Sequence, residues 1–282
     1  MEQPSRRALL STIVVGLAPI GSGCVDGQSP GTPTDSETTQ STPPPTASPT
    51  ERKTTLSLGE TATSSDGVTV TISEPQVRKI IYTPDVGGGT HKRPAGETNA
   101  QFLGFDVETA ETEISSLEFT PVLDGTRTES KVYRTDFVPG QSTRLSLLVP
   151  VQAVESGAIE WTVSADEQYR WTLPDAVLTK LAKSPEFETE FSVPESIPRG
   201  DSFTASIDVT NTGDRDGRFL AVVLDQGAGS LPLVPKFTFP VSIGETVSRE
   251  LSGEAVRTDS SEMTAIFDWG LERQTASFAV TD

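Results

Sequence analysis

From Leu56 onward, apolar and polar residues alternate with a period of two, and this rhythm limits the folds open to the chain. It runs through Val68/Val70/Ile72, Leu103/Phe105/Val107, Leu145/Leu147/Val149, Ile159/Trp161/Val163 and Tyr169/Trp171/Leu173. It resumes in Phe187/Phe191/Val193, Phe203/Ala205/Ile207/Val209, Val247/Leu251, Ala265/Phe267/Trp269 and Ala276/Phe278/Val280. Successive side chains of an extended chain point to opposite faces, so each run has one core face and one wetter face. Short runs at roughly ten-residue spacing, separated by Gly, Asp and Pro, predict antiparallel strands packed as sandwiches. Phe219 to Leu224 is apolar on both faces and reads as a central strand.

One stretch breaks the rhythm. In Pro174–Lys183, Val177, Leu178 and Leu181 can share one helical face. Asp175 near its start and Lys180 and Lys183 near its end suit the helix dipole, and Ser184-Pro185 stops it. The expected organisation is a sandwich over 55–174, a linking helix over 175–185 and a second sandwich over 186–282.

The first 54 residues have a different character. Arg6 and Arg7 stand before a short apolar run, Ala8 to Ile20, interrupted by Ser11, Thr12, Gly16 and Pro19. A membrane-spanning helix needs about 20 apolar residues, so this run reads as a signal segment over residues 1–23. It ends at Gly21-Ser22-Gly23-Cys24, small residues leading into the chain's one cysteine. From Asp26 to Thr54 the stretch is rich in Thr, Ser and Pro and lacks Leu, Ile, Val and aromatic residues. Such a segment cannot bury enough apolar area to offset chain entropy, which predicts a disordered stalk over 24–54.

These motifs carry resemblances. The twin arginine followed by Leu9 and Leu10 resembles a Tat signal, and Gly21–Cys24 resembles a lipobox, although Gly21 stands where that pattern has an aliphatic residue. Together with the acidic composition they resemble haloarchaeal Tat-exported surface lipoproteins. That implies a lipid on Cys24 and a location on the extracellular face of the cell membrane. Gly200-Asp201-Ser202-Phe203-Thr204-Ala205-Ser206-Ile207-Asp208-Val209-Thr210-Asn211-Thr212-Gly213 resembles the opening of CARDB-type immunoglobulin-like domains. There, Asn and Gly are expected to take the left-handed conformation of a tight turn. Gly67–Ile72 with Phe102–Val107 is similar to DUF4352-like lipoprotein domains. The fold class expected is therefore all-β, with two antiparallel immunoglobulin-like sandwiches joined by a short helix.

Charge and residue counts exclude much chemistry. The chain has 40 Asp+Glu against 22 Lys+Arg, a net charge of −18. Such a surface repels polyanions, so a nucleic-acid partner is not expected. With one cysteine there is no intramolecular disulfide. One histidine, His91, cannot supply a type 1 copper or a zinc site. His91 lies in Gly87-Gly88-Gly89-Thr90-His91-Lys92-Arg93-Pro94, without a Gly-x-Ser-x-Gly element or the spacing of a P-loop. This reads as a hairpin loop. No cofactor is expected.

Two local features remain. Arg78, Lys79, His91, Lys92 and Arg93 form the main basic cluster in the sequence, suited to an anionic surface protein or acidic glycan. Asn211, Asp214 and Asp216 offer closely spaced oxygens that hint at calcium. The downstream Glu of an EF-hand loop is missing, however, and a polar turn is the simpler reading. The expected role is a non-enzymatic interaction, adhesion or accessory module, anchored to the membrane through its N-terminal lipid. A small-ligand-binding accessory lipoprotein is the alternative, and a surface hydrolase a remote one.

Overall fold

The alternating runs become strands. In the first half these are β1 (Arg52–Leu56), β2 (Thr61–Thr63), β3 (Thr69–Arg78), β4 (Ile80–Pro84), β5 (Lys92–Gly96), β6 (Ala100–Thr109), β7 (Glu118–Leu123), β8 (Thr126–Arg127), β9 (Val132–Arg134), β10 (Thr143–Pro150), β11 (Gly157–Ser164) and β12 (Glu167–Thr172). A short helix, α1 (Asp175–Leu181), follows. The second half holds β13 (Phe187–Ser192), β14 (Ser196–Pro198), β15 (Ser202–Asn211), β16 (Gly217–Asp225), β17 (Pro232–Val241), β18 (Thr246–Ala255), β19 (Glu262–Asp268) and β20 (Arg273–Thr281). The computed structural model describes residues 52–84, 92–110, 116–134, 142–226, 232–256 and 258–282. Among the described residues the fold is all-β apart from α1, as the alternation predicts.

The first sandwich packs a sheet of order β1-β12-β11-β7-β8 on one of order β2-β3-β6-β10-β9. Its core gathers the inward residues of both, among them Ile72, Leu103, Phe105, Leu145, Leu147 and Trp171. Trp171 is fully buried, and its indole Nε1–H donates to the Glu60 carbonyl at 2.9 Å, so the ring is buried without orphaning its donor. Arg52 to Thr54 were expected in the stalk but form β1, in parallel register with β12. Ladder hydrogen bonds need no apolar side chains, which is why composition alone placed these residues outside the domain. Helix α1 closes one end of this core with Val177, Leu178 and Leu181, the face read from the sequence.

The second sandwich packs a three-stranded sheet, β13-β15-β18, on a five-stranded one, β14-β20-β19-β16-β17. β14 runs parallel to β20, while the other pairings are antiparallel. This is the two-sheet arrangement of an immunoglobulin-like sandwich. β15 alternates strictly, with Phe203, Ala205, Ile207 and Val209 inward. β16 is buried on both faces from Phe219 to Leu224 and lies between β19 and β17, as its unbroken apolar run predicts.

Asn211 and Gly213 do not take the left-handed conformation expected of them, since neither has a positive φ. Gly213 is required for space instead. A Cβ there would lie 2.4 Å from both the Ser184 carbonyl oxygen and the Glu186 nitrogen, so the turn presses directly on the linker.

Candidate functional site

The two sandwiches meet along a seam that begins at a β-bulge. In β3 the register slips between Ser73 and Gln76, where Glu74 has φ 48. Val70 and Ile72 point into the first core before the slip, and Val77 does so after it. Without the extra residue, Arg78 would share the core-facing phase of Val70 and Ile72. The bulge instead turns Gln76 and Arg78 onto the outer face. Arg144 steadies the distortion, its Nη2 donating to the Glu74 carbonyl at 2.9 Å while its Nε meets Asp106 at 3.0 Å.

Beyond the bulge the chain leaves the first sandwich as the β4–β5 hairpin and embeds in the second. Ile80 belongs to the second core. Tyr82 reaches the place where the β16–β17 register slips, between Ala221 and Val223. Its hydroxyl donates to the Ala221 carbonyl at 2.8 Å, and the Phe237 carbonyl lies 3.4 Å away, so the phenol fills a second bulge. Burial pushes the phenol pKa far above its ordinary value, which keeps it a neutral donor. On the other arm, Pro94 and Ala95 press on Gly270, where a Cβ would come within 2.8 Å of the Ala95 nitrogen.

Two polar clasps complete the joint. Lys79 is buried, and its Nζ meets Glu186 Oε1 at 2.9 Å. Arg215 reaches from the second sandwich to the Gln101 Oε1 at 3.3 Å, the Val77 carbonyl at 3.4 Å and the Lys183 carbonyl at 3.2 Å. Gln101, itself fully buried, donates to the Leu181 carbonyl at 2.8 Å. The linker is thus tied to both halves.

Over this joint lie two cavities that share Arg78 as a wall. One, of about 190 Å³, has the outer faces of β3, β6 and β10 on one side and the hairpin, β16 and β17 on the other. Ile81, Tyr82, Phe102 and Leu220 give it an apolar wall, while Arg78, Arg144 and Lys236 bring positive charge. The other, of about 400 Å³, is bordered by Arg78, Lys79, Lys180, Arg215 and Arg218 and by one carboxylate, Asp216, which is bonded to the Ile243 amide. Burial lowers the Arg78 guanidinium pKa, and the like charges of Arg144 and Arg218 lower it further. It stays protonated nonetheless, since arginine titrates far above neutral pH. Gln76 orients it, accepting from Nε at 3.2 Å and from Nη2 at 2.7 Å. Lys236 sits over the Tyr82 ring, 5.4 Å from its centroid. No carboxylate among the described residues pairs with Arg78, Arg218, Lys236 or Lys180.

The structure divides the basic cluster read from the sequence. Arg78 lies in the cleft, but Lys79 is buried and already paired with Glu186. Arg93 stands on β5 opposite Thr83 and does not border the cleft. His91 and the Lys92 side chain lie outside the described residues, as do Arg6, Arg7 and Cys24. The three oxygen-bearing residues put forward for calcium are engaged elsewhere. Asn211 is buried, donates to the Arg215 and Val241 carbonyls and accepts from the Gly213 and Glu186 amides. Asp214 accepts from the Ser184 amide and Asp216 from the Ile243 amide, each at 2.9 Å. These oxygens accept from backbone amides at the end of the linker, in the turn after β15 and in the turn between β17 and β18. Among the described residues no three or more His, Cys, Asp or Glu side chains gather as a metal cluster.

Arg144, Arg218, Lys236 and Tyr82 were not foreseen from sequence. They come from four separate strands, and only the fold makes them neighbours. One signal was present: Phe102 is apolar on the outward phase of β6 and almost completely buried, which marks a covered outer face.

Comparison with known proteins leaves the chain without a family. No family model matches it, and no curated protein matches it. Among solved structures, the β-glucosidase from Listeria innocua in complex with glucose is similar to 35% of this chain and 16% of its own, at 19% identity and a TM-score of 0.29. The same enzyme in complex with isofagomine gives 19% identity, the same coverage and a TM-score of 0.28. The match thus takes in under a fifth of the enzyme, and a likeness this low carries no argument about fold or chemistry.

Proposed function

We propose that the chain is a non-enzymatic surface module, anchored to the membrane through a lipid on Cys24, whose paired sandwiches recognise an anionic partner at their seam. One observation carries this reading. On a chain of net charge −18, Arg78, Arg218, Lys236 and Lys180 line one interlocked seam with no carboxylate partner among the described residues. Like charges gathered at one seam raise the local positive potential where no ion pair relieves it. Positive charge held apart on a braced frame is suited to an incoming anion. The anchor rests on the sequence: Arg6 and Arg7, the apolar run, Cys24 and the Thr/Pro-rich stalk. A surface protein with an acidic patch or an acidic glycan fits the charge.

Crosslinking and affinity capture from native membranes tests the recognition, comparing the wild type with R78Q/R218Q/K236Q. Loss of captured anionic partners is expected, and a partner set unchanged in the triple variant would refute the reading. Replacing Cys24 with Ser tests the anchor and should release the protein to the medium.

A further inference from the structure

We infer that the smaller seam cavity is a site for a small organic anion, with its oxyanion head on Arg78 and Lys236 and a compact apolar body against Ile81, Tyr82, Phe102 and Leu220. This rests on the reading of the seam as an anion-recognition surface and names what its smaller cavity takes, beside the macromolecular partner of the seam as a whole.

Size comes first. Sites for drug-sized ligands run from about 300 to 1,000 Å³, and a liquid water occupies about 30 Å³. A cavity of about 190 Å³ holds roughly six waters, or one ring bearing a single charged group. An oligosaccharide or a protein loop is too large for it. Its floor is kept open by Gly104, which faces Gln76 and Ser146 across the neighbouring strands. A Cβ at that position would meet Ser146 Oγ at 3.3 Å, so a side chain here would begin to fill the space.

Chemistry comes next. The Gln76 bonds occupy the Nε and Nη2 side of the Arg78 guanidinium, fixing the plane of the group. Its remaining N–H donors have no partner among the described residues and are available to an oxyanion, and a charge-assisted bond to carboxylate or phosphate is among the stronger polar contacts. Lys236 adds a second positive charge beside the Tyr82 ring. The parts of Tyr82, Ile81 and Leu220 that open on the cavity would stay in contact with water if the ligand were a bare inorganic ion. A head without a body leaves that wall unused, and a body without a head leaves the cations uncompensated.

The frame around the cavity is already built. The Tyr82 hydroxyl is anchored in the β16–β17 bulge, and Phe102 packs edge-on against Tyr133 with ring centroids 5.1 Å apart. Little side-chain ordering is left to oppose binding, so a fragment-sized anion should bind at about millimolar Kd or tighter.

The test titrates full-length protein with benzoate, phenyl phosphate and 4-methylpentanoate, followed by ligand-observed NMR. Acetate and inorganic phosphate supply the head alone, and benzyl alcohol supplies the body alone. At least one of the first three should bind about tenfold or more tighter than all the controls, and R78Q/K236Q should weaken it about tenfold or more. Phosphate or acetate binding as tightly as the larger anions would overturn the inference while leaving the seam an anion-recognition surface. So would failure of all three organic anions to bind while partner capture still depends on the cations. Organic-anion binding unchanged in R78Q/K236Q would place the ligand elsewhere and overturn it as well. If partner capture is also indifferent to the cations, the recognition reading falls with it.

Discussion

Replacing Gly270 with Ala should separate the β4–β5 hairpin from the second sandwich, and Gly200 provides an internal standard for the size of the effect. Both glycines have φ +91, a conformation that an L-residue adopts only with strain. At Gly200 a Cβ would meet nothing within 4 Å. At Gly270 it would meet the Ala95 nitrogen at 2.8 Å and the Ala95 and Pro94 carbonyl carbons at 2.9 Å. These are backbone atoms of β5 and cannot rotate away, so the hairpin must move. The backbone strain alone is about 1–2 kcal/mol in either variant. The forced contact adds about 1–3 kcal/mol at Gly270 only, as for overpacked cores. For a fold of about 200 described residues, 1 kcal/mol corresponds to roughly 2–4 °C in Tm. An extra 2 kcal/mol therefore predicts that G270A melts roughly 4–8 °C below G200A. Thermal unfolding of the two full-length variants, followed by circular dichroism, measures the difference. Equal melting temperatures would show that the hairpin does not press on the β19–β20 turn, and the interlock would be wrong.

Other consequences of the seam are as direct. Tyr82→Phe removes the donor to the buried Ala221 carbonyl, which should lower stability by about 1–3 kcal/mol in denaturant melts. Glu186→Ala strands the buried Lys79 ammonium. Breaking a fully buried pair costs about 3–5 kcal/mol, and because Glu186 is half-exposed a loss of about 2–3 kcal/mol is expected. Adding Lys79→Met to that variant should recover most of the loss, since an apolar side chain needs no counter-charge. No recovery would mean that the pair does not account for the effect.

Much of the fold is legible in the sequence because a strand with one buried face writes a period of two. β15 and β10 show the rhythm directly, and β16 announces its central place by being apolar on both faces. Helix α1 is equally plain, with Val177, Leu178 and Leu181 on one face. β17 is not, because Pro232, Pro235 and Pro240 argue against a strand. It forms nonetheless at the edge of its sheet, where only one side needs ladder donors and prolines are tolerated. β3 hides its own bulge. Read without interruption its phase would bury Arg78, and only the shift from Ile72 to Val77 betrays the inserted residue.

The seam was less legible still. Nearness in sequence grouped Lys79 with Arg78, although one is a buried clasp and the other lines the cleft. Arg144, Arg218 and Lys236 lie far apart along the chain and become neighbours only through strand pairing and hairpin docking. The run Asn211–Gly217 shows the converse. Its oxygens are close in sequence but serve amides of three different segments, at Ser184, Gly213 and Ile243, and the spacing alone does not reveal these partners.

The central claim is that the seam cations serve recognition and are not needed to hold the fold. The thermal midpoint of R78Q/R218Q against wild type tests this directly. Neither arginine has a carboxylate partner among the described residues, and both repel neighbouring positive charge, so the variant should melt at the wild-type temperature or above it. A midpoint several degrees lower would show that these side chains support the structure, and would contradict the account.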